Sequence, residues 1–227
     1  MNKKYRTLLF GAIISITSLL TGCFEFVEKI DLQNNGSGAI TATLNMSKSK
    51  TKVASLMKLS SFGSFKIPSE TTVKAEMEEL ATTLKNTKGI SNVKYTLDFK
   101  NYIATLSCNF AHIEALNEFS KALSKKTKVS ITSYNSYSFN PSAGVFKRNY
   151  TYTSDMGKEF GKLSNDDQQL FNDAIYTNIT RFEKSIKTQQ HNQAKVSEDK
   201  KTSLLRVKAI DLLRNKANLT NNISLIN

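Results

Sequence analysis

The sequence predicts an α+β fold, mainly an antiparallel β-sheet of hairpins with helices packed on one face. Two observations carry this expectation. Apolar residues alternate with polar ones in paired runs broken by turn residues, and helical apolar stripes follow those runs. With 39% hydrophobic residues and two prolines among 227 residues, the composition is that of a folded chain with a core.

The first element is an address. Lys3, Lys4 and Arg6 precede an apolar stretch, Leu8 to Leu20, and the run Leu19-Leu20-Thr21-Gly22-Cys23 closes it. That stretch is short of the ~20 residues needed to cross a bilayer, so it reads as a cleaved signal. The small pair before Cys23 matches the lipobox, in which the cysteine thiol takes diacylglycerol and cleavage leaves the cysteine as the first residue. Residues 1–22 are thus expected to be a signal peptide, 23–25 a lipidated tether beginning at Cys23, and 26–227 one domain. Cleavage removes Lys3, Lys4 and Arg6 and takes the formal charge from +13 to +10. Phe24 follows the cysteine where Asp would favour inner-membrane retention, which points to the outer membrane. An exported basic chain is attracted to envelope polyanions, the candidates being anionic headgroups, lipopolysaccharide phosphates or acidic glycans and not nucleic acid. Its basic residues are scattered, however, and read as a solvated face in preference to a specific polyanion site. Lys121, Lys125, Lys126 and Lys128 are its densest basic group.

Alternation resumes behind the tether. Ile30 and Leu32, then Ile40, Ala42, Leu44 and Met46, flank Asn34-Asn35-Gly36-Ser37-Gly38 and predict a hairpin over 26–46, both glycines being read as turn residues that accept positive φ. Val53, Leu56 and Met57 predict a short helix between Ser47 and Leu59. A longer one is expected from Ser69 to Lys88, with Val73, Met77, Leu80, Ala81 and Leu84 as its stripe, Ser69 as N-cap and Gly89 as the left-handed cap. Glu76, Glu78 and Glu79 lie opposite that stripe and read as solvated.

The clearest hairpin covers 93–110. Val93, Tyr95, Leu97 and Phe99 alternate before Lys100-Asn101, and Tyr102, Ala104, Leu106, Cys108 and Phe110 alternate after it. Cys108 is in register with the core-facing set and reads as an inert buried thiol. A helix from His112 to Lys126 follows, so hairpin then helix occurs twice, the pattern of a distant internal duplication. Strands are expected at Val129 to Tyr134, Val145 to Tyr152, Tyr176 to Lys187 and Thr202 to Val207. Short helices are expected behind Ser164 and over Lys208 to Asn215, and Asn222 to Asn227 reads as an edge strand.

The catalytic inventory is sparse. With Cys23 committed to lipid, Cys108 has no disulfide partner, and no cysteine metal cluster can form. His112 and His191 stand far apart, the first reading as a surface residue near a helix start, the second as part of a polar turn. No nucleophile elbow, zinc-protease or β-lactamase motif is present, so neither metal nor cofactor is expected. Asp166-Asp167 are explained by the dipole of a helix N-terminus. The expectation is therefore a non-enzymatic binding or structural module, the alternatives being a lipid carrier, which requires an apolar cavity, and an envelope hydrolase. The candidate ligand contact is the loop from Ser133 to Arg148, where Tyr134, Tyr137 and Phe139 alternate with small polar residues and Lys147-Arg148 follow. Exposed aromatics of this kind stack on sugars and meet protein surfaces; the competing reading is a strand with a half-exposed aromatic face.

The lipobox, the stretch Asp31-Leu32-Gln33-Asn34-Asn35-Gly36-Ser37-Gly38, the Leu44 to Lys52 continuation and Gly89-Ile90-Ser91-Asn92-Val93 resemble uncharacterised Bacteroidota lipoproteins. More remotely the chain looks like the LppM-type lipoprotein domain, with its early strand-Gly-x-Gly-strand hairpin and helix-containing sheet body behind a lipid anchor. The resemblance implies an envelope protein linked with host interaction and supplies no catalytic residues; the expected partners are the membrane, through the lipid anchor, and an envelope protein, glycan or lipid.

Overall fold

The computed structural model describes residues 24–62, 65–127, 136–152, 154–169 and 171–226. The signal segment, Cys23, Lys128, Tyr134 and the strand expected at Val129 to Tyr134 lie outside the described residues.

β1 (Glu25–Leu32) and β2 (Gly38–Asn45) form the expected hairpin, in register from Glu25 against Asn45 to Leu32 against Gly38. Its two glycines serve different ends. Gly36 takes φ +88°, as the turn demands. Gly38 does not have positive φ; a Cβ there would run into the Asp31 carbonyl and the Phe110 ring, so the position needs glycine for room. A 3₁₀ turn (Ser47–Ser49) and the short helix α1 (Lys50–Leu56) follow, then the minimal hairpin β3 (Ser61–Phe62) and β4 (Phe65–Lys66).

Helix α2 (Glu70–Lys85) is N-capped as its sequence predicts, with Ser69 Oγ accepting the Thr72 N–H at 3.1 Å. It stops short of the expected Lys88 with Asn86 as its C-cap, and Gly89, with φ +84°, serves the turn into the next strand instead. Of its expected acidic face, Glu78 accepts a hydrogen bond from the Tyr95 hydroxyl at 2.6 Å. The second hairpin, β5 (Ile90–Asp98) and β6 (Ile103–Phe110), carries a bulge between Ser91 and Lys94 where Asn92 has φ +51°. Helix α3 (Ala115–Thr127) follows it.

The remaining chain supplies β7 (Ser136–Asn140), β8 (Val145–Asn149), α4 (Ser154–Gly161), α5 (Asn165–Gln169), β9 (Ile175–Phe182), β10 (Ile186–Gln189), β11 (Lys195–Val196), β12 (Thr202–Lys208), α6 (Ala209–Leu213) and β13 (Asn221–Leu225).

The α+β class with hairpins holds, but the strands divide between sheets. A seven-stranded sheet runs β11-β12-β9-β1-β2-β6-β5, antiparallel except for the β1–β9 pair; an antiparallel four-stranded sheet runs β10-β13-β8-β7. The chain changes sheets at 183–185, which splits the strand expected over Tyr176 to Lys187. β13 is not an edge strand: it lies between β10 and β8, with Asn221, Ile223 and Leu225 buried.

One face of the large sheet is the inner face. Ile30, Leu32, Cys108, Phe110 and Phe182 meet Tyr137, Phe146, Ile186, Ile223 and Leu225 from the small sheet, and Leu84 of α2 and Leu116 of α3 join them. Towards β12, Leu205 and Val207 pack with Leu219 and Ala194, and a third cluster joins Phe160, Leu163 and Ile210. These layers leave part of the inner face uncovered.

Candidate functional site: an apolar cavity beside a buried ion pair

The uncovered part of the inner face is a cavity of about 570 Å³. Its floor follows from strand alternation. Phe26 and Glu28 of β1, Ile40 and Ala42 of β2, and Leu106 and Cys108 of β6 all point the same way. One wall is Leu84, Leu116 and Phe119; the other is Tyr150, Tyr152, Phe171, Leu212 and Leu213, with Phe24 and Tyr176 near the start of β1. Ile40, Ala42 and Leu106 face inward yet are only half-buried, because they border this space instead of another layer. Ring contacts stiffen the aromatic wall: Phe26 stacks on Tyr176 at 5.8 Å between centroids, and Phe24 meets Phe171 edge-on at 5.4 Å.

A polar knot adjoins the cavity. Glu28 sits where alternation puts core residues and is 8% exposed; Arg148, in register with Phe146, is 2% exposed. Glu28 Oε1 accepts from the Tyr137 hydroxyl at 2.9 Å and from Asn178 Nδ2 at 2.9 Å, and Arg148 Nη1 lies 3.2 Å away as its counter-charge. Arg148 Nη2 donates to the Tyr176 hydroxyl at 2.6 Å, and its guanidinium lies over the Tyr137 and Tyr176 rings at 5.4 and 5.5 Å. Arg148 Nε has no hydrogen-bond partner, and Nη1 meets Glu28 without hydrogen-bond alignment.

The electrostatics follow from burial. Desolvation pushes the Tyr137 hydroxyl well above its ordinary pKa, with Arg148 pulling partly against it, and Tyr176 is raised for the same reason. Burial opposes the charge on Arg148, but Glu28 and the two tyrosines outweigh it, and the guanidinium pKa rises. The Cys108 thiol in the cavity floor is pushed up to about 11 by desolvation. The Glu28 carboxylate is occupied by its two donors and its cation, so the arrangement holds a polar pole fixed beside an apolar space.

The residues singled out in the sequence divide accordingly. As ligand contacts, Tyr137 and Arg148 were expected in an exposed loop, against a competing strand reading and a strand expected at Val145 to Tyr152. They lie on the strands of the β7–β8 hairpin, and point inward and are buried where exposure was expected. Phe139 packs partly buried against the main core, its N–H donating to Glu114 Oε1 at 3.0 Å. The reading missed Glu28, Tyr176 and Asn178. The signal for Glu28 was available: it shares a strand face with Ile30 and Leu32.

His112 is exposed, with Nδ1 3.7 Å from a Glu114 carboxylate oxygen. His191 is buried in its turn; Nδ1 accepts from the Gln193 N–H at 3.2 Å, which leaves Nε2 to donate to the Asn218 carbonyl at 3.1 Å. The side chains of Asp166 and Asp167 lie outside the described residues. Among the described residues, no group of three His, Cys, Asp or Glu is placed to hold a metal ion, and no helix is long and apolar enough to cross a membrane. A second concavity at the β1–β2 turn mixes Asp31, Arg181, Glu183, Asp199 and Lys201, and there Arg181 Nε lies 3.1 Å from Asp31.

No protein-family model matches the chain, and no curated protein matches it. Among solved structures it is similar to the folded domain of Mycobacterium tuberculosis LppM, with a TM-score of 0.43 and 10% identity over 88% of this chain and 87% of that one.

Proposed function

We propose that the protein is a non-enzymatic cell-envelope lipoprotein, anchored through Cys23 and carried on the outer membrane, whose domain takes an apolar ligand, the acyl chain of a lipid, into the cavity. The observation that supports this reading is the cavity itself. At about 570 Å³ it falls within the ~300–1,000 Å³ of small-molecule sites, and side chains from both layers of the fold line it. Each methylene transferred there from water contributes about 0.8 kcal/mol. The buried pair of Glu28 and Arg148 carries no net charge, which suits a chain more than an ionic ligand.

The test is native mass spectrometry of the lipoprotein released from its own envelope in mild detergent, comparing wild type with Ala42→Phe. Ala42 faces the cavity from the middle of β2, so the larger ring fills empty space. Wild type is expected to carry a dissociable lipid mass and Ala42→Phe to lose it, with a melting temperature no lower than wild type because the ring fills a void. A wild-type protein that carries no lipid and takes none up from added lysophospholipid overturns the reading.

A further inference from the structure

We propose that the end of the large sheet at which β1 begins is a membrane-contacting face, and that the cavity loads a lipid acyl chain through it directly from a bilayer bearing anionic headgroups. This rests on the reading above, both for the anchor at Cys23 and for the apolar ligand.

Two independent observations place the membrane there. The first is where the chain enters the domain. Phe24 lines the cavity and its carbonyl accepts the Ile175 N–H at 3.0 Å, so the residue next to Cys23 is itself tied into the fold. Adjacent Cα atoms are about 3.8 Å apart, which leaves no slack between a lipid on Cys23 and the cavity wall. Phe26, in the cavity floor two residues on, is 36% exposed.

The second is charge. Pairing of Glu25 with both Asn45 and Ile175, and of Ile175 with Lys208, brings the end of β2, the start of β9 and the end of β12 to this same edge. The segments that leave it carry exposed Lys48, Lys50, Lys208, Arg214 and Lys216. Of the acids at the same edge, Glu25 is already engaged by the Thr177 hydroxyl at 2.6 Å and lies 3.5 Å from Arg206, Asp98 is held by Asn101 at 2.7 Å, and Asp173 and Asp211 are outnumbered by the bases. A basic rim beside the apolar residues that line the cavity at this edge, Phe24, Phe26, Leu212 and Leu213, matches a headgroup layer over acyl chains. A chain passing straight from bilayer to cavity also never exposes its methylenes to water, whereas a route through solvent exposes all of them.

The experiment reconstitutes the full lipoprotein in vesicles of phosphatidylethanolamine and phosphatidylglycerol containing a trace of phosphatidylglycerol with a diazirine in its acyl chain. Crosslinking to the β6 peptide that holds Leu106 and Cys108 reports cavity entry. A variant with a Gly/Ser linker of about 12 residues after Cys23 gives the domain a reach of about 20 Å. It is expected to label β6 roughly tenfold less in vesicles, as effective concentration falls with tether length. In mixed detergent micelles, where lipid arrives from any side, it should label like wild type. Equal labelling in vesicles overturns the proposal. No β6 labelling of either protein in micelles overturns the apolar-ligand reading and this proposal with it, whereas absence of lipid on Cys23 overturns the anchor in that reading and this proposal, and leaves the apolar ligand standing. Should the linker variant fail to accumulate, the charge reversal Lys208→Glu, Arg214→Glu and Lys216→Glu replaces it. Its labelling is expected to fall in anionic vesicles and match wild type in neutral ones; unchanged labelling in anionic vesicles counts against the proposal.

Discussion

At the scale of single residues, the Glu28–Arg148 pair has the most to lose. Both side chains are nearly withdrawn from water, and two tyrosines and an asparagine complete their coordination. A buried ion pair adds little net stability over an apolar replacement, but removing one member strands the other charge, at about 3–5 kcal/mol. Arg148→Met is therefore expected to destabilise by that amount in denaturant unfolding. Glu28→Gln combined with Arg148→Met should recover more than half of the loss, because a glutamine carbonyl still accepts from Tyr137 and Asn178 and no charge remains. A double variant no better than Arg148→Met would show that the guanidinium acts through its packing on the rings instead. The sequence made half of this pair legible. Glu28 stands in register with Ile30 and Leu32, and Arg148 with Phe146, so two charges on core-facing positions were visible; that they meet was not, because 120 residues separate them and only the sheet pairing brings them together.

At the scale of elements, hairpins and the capped helix α2 were legible because local chemistry decides them: alternation, a serine N-cap, a glycine at positive φ. The turn between β5 and β6 is of this kind. Asp98 accepts the Asn101 N–H at 2.9 Å and Asn101 Nδ2 at 2.7 Å, and these bonds hold its carboxyl below the usual pKa. A carboxyl with a depressed folded pKa stabilises above its unfolded value of about 3.9 and loses that contribution as pH falls through the folded value. Asp98→Ala is thus expected to lower the melting temperature at pH 7, with the gap from wild type narrowing as pH falls below about 3.9; a gap independent of pH would assign the effect to turn geometry and not to charge. Elements decided by distant partners were less legible. β13 reads as an edge strand because it ends the chain, yet β10 and β8 take both its edges. Helix α4 was missed between a strand pattern and a capping box, because its packing partner α6 is some fifty residues away and its own sequence is short and polar.

At the scale of the whole molecule, the class of fold followed from composition and period, while the division into two sheets and the space between their layers did not. A cavity is what remains after packing, and no residue pattern encodes a remainder. Cys108 reports on it, since the thiol lines the floor, is 3% exposed and has its pKa pushed up to about 11. A thiol raised above its unfolded pKa of about 8.5 leaves stability at its full value below that pH and erodes it as pH climbs towards the folded value, so unfolding should become easier between those limits. Below them the thiolate is scarce and alkylation needs the layers to open. A lipid chain that fills the cavity must leave first, so binding and protection are linked. With lysophosphatidylglycerol at about 100 times its dissociation constant, stability is expected to rise by about 2.7 kcal/mol. Iodoacetamide should alkylate Cys108 about 100-fold more slowly at pH 8, the factor that the same linkage sets. The two readouts must move together: a rise in melting temperature with unchanged Cys108 alkylation would place the lipid elsewhere on the protein, whereas a parallel change places it against β6.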